Sequence, residues 1–313
     1  MRLGYKDPTK KDWFLVSWTL SNKCNYRCEY CPDILHNGST GQPLWSTVER
    51  FIQNFKQKDK TICFRISGGE PTYWKHFIDM AECVKEQGHK FTFVSNGSQS
   101  AEYFKRIAPF TDAMMLSYHK AYADPDHFIE VINESKITTI INMMLLPDDF
   151  DEAFAVSEKI FSNTSNCTIW PKVIVDKTYS DNITNEVVAY TPKQKDLIKN
   201  WPFTRKINDK DLHRGSMEIQ FSDWFKENQE VDANQLILDE KNKFRGWKCW
   251  AGLDGVNIDM WGNMYRADCQ FGGPLGNLER YKLPTEPITC GKEICSCLSD
   301  IYIRKEQEEW TTT

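Results

Sequence analysis

The chain has 313 residues, 40% of them apolar and 27% charged, with 11 Trp, 12 Tyr and 18 Phe. This is the composition of a folded globular protein, long enough for one large domain or about two ordinary ones, and it excludes wholesale disorder. Lys plus Arg number 39 against 44 Asp plus Glu, a formal charge of −5, which leaves no net field for holding nucleic-acid phosphates, so nucleic acid is not an expected partner.

The N-terminal run MRLGYKDPTKKDWFLVSWTL carries early positive charge but only a short apolar part, and no small-residue cleavage site follows it. No stretch approaches the roughly 20 apolar residues of a membrane-spanning helix. The expected location is the cytoplasm, with no membrane partner.

From residue 13 to about 175, short β-rich runs alternate with segments of helical period, the pattern of βα units around a parallel sheet. Strands are expected at 13–20, 61–67, 90–95, 112–118, 137–145 and 167–175. Between the first two, Leu44, Val48, Phe51, Ile52 and Phe55 share one helical face. The next helix carries Phe77, Met80, Ala81 and Val84 and stops at Gly88, a C-terminal capping glycine. Further helices are expected at 99–108, 125–134 and 149–161.

Six such units suit either an open doubly wound sheet or a partial barrel, and in both the loops after the strand C-termini bind ligands. Residues 176–245 are polar and weakly periodic, and read as a bridging region with a helix near 192–200. A hairpin around Gly262-Asn263 follows, bracketed by Cys249 and Cys269.

The 11 cysteines are unevenly spread. An odd total without a secretion signal speaks against a disulfide framework and for metal sites. Cys63, Cys83 and Cys167 lie singly in strand or helix runs and read as small buried hydrophobes. Cys24, Cys28 and Cys31 fall within eight residues directly after the first strand. Three thiolates on one loop leave a metal coordination position open, whereas a purely structural site wants four. Ser67-Gly68-Gly69-Glu70-Pro71 ends the second strand, and Ser95-Asn96-Gly97 and Ser117-Tyr118-His119 end the next two.

The CxxxCxxC spacing together with Gly68-Gly69-Glu70 resembles the radical S-adenosylmethionine (SAM) enzymes over roughly residues 13–175. The resemblance implies an α/β fold, a partial (β/α)6 TIM-like barrel. It also implies a [4Fe–4S] cluster on Cys24, Cys28 and Cys31 whose fourth iron is chelated by SAM. In that family Gly68, Gly69 and Glu70 would meet the methionyl ammonium and Tyr30 would pack near cluster and adenine. Ser95 and Asn96 would bond the methionyl and ribose parts, with Ser117, Asn142 and Met144 on the following strand ends. His119 reads as a hydrogen-bonded loop histidine and Lys172 as a solvated strand-end charge. A zinc site completed by a distant ligand is the alternative for the cysteines.

Cys249, Cys269, Cys290, Cys295 and Cys297 resemble the small C-terminal SPASM or twitch domain, which binds an auxiliary iron–sulfur cluster. Four of these five would be ligands to a cluster expected to be [4Fe–4S], and zinc is the alternative here too. The domains expected are a barrel over 1–175, a bridge over 176–245 and the auxiliary module over 246–313. The implied activity is reductive cleavage of SAM to a 5′-deoxyadenosyl radical that takes hydrogen from a peptide side chain or a small natural-product precursor. The expected electron donor is a flavodoxin or ferredoxin. A non-catalytic iron–sulfur or zinc protein and an RNA-modifying enzyme are the rival readings.

Overall fold

The computed structural model describes residues 1–174, 188–206, 216–221 and 227–307. In chain order the strands are β1 (Arg2–Tyr5), β2 (Trp13–Thr19), β3 (Thr61–Ser67), β4 (Lys90–Ser95), β5 (Ala113–Tyr118), β6 (Thr139–Leu145) and β7 (Cys167–Val173). They continue with β8 (Met217–Gln220), β9 (Gln229–Val231), β10 (Lys248–Cys249), β11 (Gly255–Ile258), β12 (Asn263–Tyr265), β13 (Pro274–Asn277), β14 (Ile288–Thr289) and β15 (Lys305–Glu306). The helices are α1 (Trp45–Asn54), α2 (Phe77–Glu86), α3 (Ala101–Ile107), α4 (Pro125–Ser135), α5 (Phe150–Ser162), α6 (Pro192–Lys199), α7 (Ala233–Leu238) and α8 (Leu298–Ile301).

Two compact units emerge, Trp18–Asn54 with Phe64–Leu212, and Met1–Ser17 with Phe55–Cys63 and His213–Thr313. Sequence reading expects breaks at 175 and 245. The observed division differs because β1, too short to read as a strand alone, pairs antiparallel with β8 and β15, far away in sequence. The expected bridge lies partly outside the described residues. Its described part includes α6, capped by Thr191 and Gln194 in a reciprocal capping box, and β8, β9 and α7.

The first unit holds the strand order β4-β5-β6-β7, all parallel, together with the C-terminal ends of β2 and β3 and the helices between successive strands. It is an α/β fold with a parallel sheet. Alternation sends Phe91, Phe93, Met114, Leu116, Ile141, Met143 and Ile169 to one face, each fully buried. Phe77 of α2 packs on Phe91 and Phe93 at ring-centroid distances of 5.7 and 5.4 Å, and Phe104 of α3 on Phe93 at 6.4 Å, so these helices cover that face. Gly88 ends α2 with φ +76° and donates to the carbonyl of Lys85.

The opposite face differs in chemistry. Here Ser117, Asn142 and Trp170 stand side by side in register, with Met144 beside Lys172 one step on. These five are incompletely buried, so the C-terminal end of this face is open, while Ala113, Met115 and Ile140 farther back on it form a small buried cluster.

The other unit is built on the antiparallel order β14-β10-β15-β1-β8-β9. The β11–β12 hairpin turns at Gly262, φ +84°, and Asp259 caps the turn by accepting from the backbone N–H groups of Trp261 and Asn263. One core of this unit joins Leu3, Tyr5, Met217, Val231 and Phe244. Asp254 is buried and paired with Arg304 while accepting from Tyr5 Oη at 3.1 Å. Among the described residues no helix is long and apolar enough to cross a membrane.

Candidate functional site

The loop that follows β2 carries Cys24, Cys28 and Cys31, all free thiols. Its path is set by Asn22, fully buried, whose amide donates to the Ile34 carbonyl and the side chains of Asn37 and Ser39 while its oxygen accepts from Thr40. The Cys31 N–H closes a turn on the Cys28 carbonyl at 3.0 Å, and Arg27 donates to the carbonyls of Cys24 and Tyr26.

Gly68-Gly69-Glu70 runs against the start of this loop. Gly69 N donates to the Ser21 carbonyl and Glu70 N to that of Lys23, both at 2.8 Å. A Cβ on Gly68, φ +148°, would lie 2.5 Å from Ser21 O, and one on Gly69 would lie 2.3 Å from Lys23 O and 2.9 Å from Cys24 N. Sequence reading assigns these glycines to close approach by a ligand. In the structure they admit the backbone of the cysteine loop itself.

Glu70 is 1% exposed. Its Oε1 accepts from Thr72 N, Thr72 Oγ1 and Ser95 Oγ, and its Oε2 from Asn96 N at 2.6 Å. The carboxylate thus ties the ends of β3 and β4 together. Burial pushes its pKa up, against the opposing pull of the donors from Asn96, Thr72 and Ser95. Asn96 then reaches the cysteine loop: its amide donates to Asn25 Oδ1 at 2.8 Å and lies 3.9 Å from Cys24 Sγ, which also accepts from Tyr26 N at 3.3 Å.

Tyr30 and His119 stack at 5.9 Å with 17° between planes, and their Oη and Nδ1 are 2.5 Å apart. Burial pushes the Tyr30 phenol up and lowers His119 to about 4. Near neutral pH a neutral phenol therefore faces a neutral imidazole. Sequence reasoning missed Tyr122, which stacks on Tyr26 at 4.5 Å and donates from its hydroxyl to the Arg27 carbonyl at 3.1 Å. Nothing in its local spacing marks it, since its partners are nearly a hundred residues away.

The five C-terminal cysteines lie in the other unit. Cys249, on β10, is buried with Ala251, Ala267 and Ile303, and Cys269 and Cys290 pack on the same cluster. Cys295 packs on the Leu3 and Phe244 core. Asn242 clasps Cys295 by accepting its N–H and donating to its carbonyl, and Cys297 precedes α8. Asp300, buried, accepts from Cys269 N at 2.9 Å and Asp268 N at 3.3 Å. Burial pushes the thiols of Cys249, Cys269 and Cys295 up. Among the described residues no three Cys, His, Asp or Glu side chains converge so as to hold a metal ion.

At the first cysteine set the donor chemistry suits an iron–sulfur group. Three soft sulfur ligands share one loop, and backbone and amide N–H groups approach Cys24 Sγ, where they favour an anionic sulfur. Burial pushes the thiols of Cys24 and Cys28 up, and a bound cation would act in the opposite direction.

Residues 18–158 match the radical SAM superfamily. Among curated proteins the chain is similar to GTP 3′,8-cyclase of Haemophilus influenzae (strain 86-028NP), 26% identical over 157 residues that cover 48% of this chain and 44% of that protein. It is also similar to the S-adenosylmethionine-dependent nucleotide dehydratase of a Thermoplasmatales archaeon (strain ISO4-H5), 35% identical over 97 residues, 30% of this chain and 34% of the other. The chain thus spans less than half the length of these relatives. Among solved structures it is similar to native anSMEcpe with bound AdoMet and Kp18Cys peptide, TM-score 0.53 and 15% identity over 85% of this chain and 78% of that one. A second is Streptococcus suis SuiB bound to precursor peptide SuiA, TM-score 0.54 and 12% identity over 86% and 64%. At such identities the likeness is one of fold.

Proposed function

We propose that this chain, a radical SAM superfamily enzyme through its residues 18–158, modifies a peptide side chain or a small natural-product precursor after hydrogen abstraction by a SAM-derived radical. The observation that carries the reading is the hydrogen-bonded junction of the three-cysteine loop with Glu70, Ser95 and Asn96. In this reading the six βα units form a partial (β/α)6 barrel whose inner surface is the open face of the sheet.

Cys24, Cys28 and Cys31 would hold a [4Fe–4S] cluster that, when bound with SAM, supplies the electron for reductive cleavage to a 5′-deoxyadenosyl radical. The chain's own residues bind and orient. Gly68, Gly69 and Glu70 fix the cysteine loop against β3. Glu70 holds the Asn96 peptide in place, and Ser95, Asn96, Ser117, Asn142 and Met144 offer the surface for SAM. Tyr30, kept rigid by His119, shields the cluster side from water. The C-terminal cysteines would form a twitch- or SPASM-like auxiliary iron–sulfur site for electron transfer or substrate binding, and a flavodoxin or ferredoxin would supply electrons in the cytoplasm.

A nucleotide substrate is the second reading, favoured by the likeness to a GTP 3′,8-cyclase and a nucleotide dehydratase. The test is anaerobic incubation with SAM and dithionite. 5′-Deoxyadenosine should form, and Cys24, Cys28 and Cys31 replaced together by Ala should abolish it while removing about half of the bound iron. Unchanged iron in that variant refutes the assignment. Stimulation of 5′-deoxyadenosine formation by nucleoside triphosphates, with none by cysteine-containing peptides, selects the second reading.

A further inference from the structure

A large aromatic side chain stands uncovered at the C-terminal end of the parallel sheet. Trp170 of β7 is 39% exposed, whereas its chain neighbours Ile169 and Pro171, on the other face, are buried. A single exposed apolar residue on an outer surface is ordinary. Trp170 instead ends a row. It pairs in register with Asn142 of β6, which pairs with Ser117 of β5, so the three side chains share one face at intervals of about 4.8 Å. Just behind the row, Met115 and Ile140 are closed into a buried cluster with Val94 packed on it, so this is the line at which the face opens.

No hydrogen bond joins the Ser117 hydroxyl, the Asn142 amide or the Trp170 indole N–H to another described residue, and no described ring packs on the indole. Adjacent polar groups with unused bonding capacity beside an open aromatic face are the makings of a ligand site. The row also has a direction. Ser95, the last residue of β4, pairs with Leu116, and Asn96 after it donates to Asn25 Oδ1 and approaches Cys24 Sγ. The cysteine loop is therefore at the β4 end, and Trp170 lies three strands farther on, about 14 Å along the sheet. In the reading above, Ser117 and Asn142 between these ends face SAM. What lies beyond SAM, on the side away from the cysteines, is the molecule from which hydrogen is taken.

We propose that Trp170 is a specificity-determining residue whose indole face stacks a planar ring of the substrate. The inference rests on the SAM-cleaving reading and on neither of its substrate classes, since a nucleobase and an aromatic side chain both carry such a ring. Stacking on an indole adds to what the buried area alone supplies, whereas an aliphatic group gains the area alone. The indole N–H is left for an acceptor on the same molecule.

The experiment uses the full chain, reconstituted anaerobically and saturated with SAM, and compares wild type with Trp170→Phe, Trp170→Leu and Trp170→Ala. Saturation-transfer difference NMR titrations read the Kd of three probes: GTP, N-acetyltyrosinamide and, as a control without a ring, N-acetylleucinamide. At least one ring probe should bind wild type more tightly than the control. Trp170→Leu and Trp170→Ala should weaken that probe about tenfold, while Trp170→Phe keeps it within about threefold. Leu retains apolar bulk and so separates stacking from simple burial, and circular dichroism checks that each variant folds. Binding of GTP alone assigns the ring to a nucleobase, and binding of the tyrosine derivative alone to an aromatic side chain. No ring probe bound to wild type, or equal binding to wild type and the Leu variant, overturns the proposal. So does a fall in SAM affinity, measured by equilibrium dialysis, that matches the fall for the probe, since the indole would then belong to SAM. Failure of wild type to form 5′-deoxyadenosine with SAM and dithionite overturns the SAM-cleaving reading itself, and the proposal with it.

Discussion

Adding one methyl group at Gly69 separates two explanations of the glycine pair. If the glycine exists to make room for a ligand, alanine there should weaken SAM binding and leave the apoprotein alone. The structure predicts otherwise. The new Cβ would lie 2.3 Å from Lys23 O and 2.5 Å from Lys23 C, and both are backbone atoms that no rotamer change moves aside. Relief requires β3 and the cysteine loop to part, which breaks the 2.8 Å bonds from Gly69 N to Ser21 O and from Glu70 N to Lys23 O. Overpacking at about 1–3 kcal/mol and two strained backbone bonds at about 0.5–1.5 kcal/mol each give a loss of about 2–6 kcal/mol. Because Cys24 N is among the atoms displaced, the iron held by Cys24, Cys28 and Cys31 should fall along with stability. Urea unfolding of the apoprotein and iron per chain after reconstitution are the assays. Apoprotein of wild-type stability with full iron would refute the reasoning.

Two further changes probe the same unit. Glu70→Gln retains one carbonyl oxygen for Thr72 and Ser95 but turns an NH2 toward Asn96 N, a donor facing a donor, at a cost of about 1–3 kcal/mol. SAM affinity by equilibrium dialysis should drop with it, and unchanged stability and affinity together would remove Glu70 from the site. Asp112→Asn tests the far end of the sheet: burial alone would raise the Asp112 carboxyl, but donors from Lys90, Lys85 and Phe91 N outweigh it and hold the group below 3.8. A lowered folded-state pKa gives stability that is complete above the unfolded value and is lost as pH falls through the folded one. The variant should therefore be less stable than wild type at neutral pH, with the gap closing below 3.8; a gap independent of pH would show that the charge contributes nothing.

The βα alternation was legible because it is local: each strand and helix of the first unit declares itself by a period of two or of 3.6 within its own residues. The cysteine spacing and the Gly-Gly-Glu run were legible for the same reason, as short motifs at strand ends. What lay beyond sequence reading is whatever depends on contact between distant segments. β1 becomes a strand only because β8 and β15 lie on either side of it, so the division of the chain does not follow its order. That Gly69 makes room for Lys23, that Glu70 joins the ends of β3 and β4, and that Tyr122 holds Arg27 are likewise facts of packing. Lys305 is the plainest case. Nothing in its local spacing sets it apart, and only tertiary structure, by placing its ammonium end on three backbone carbonyls, removes it from water.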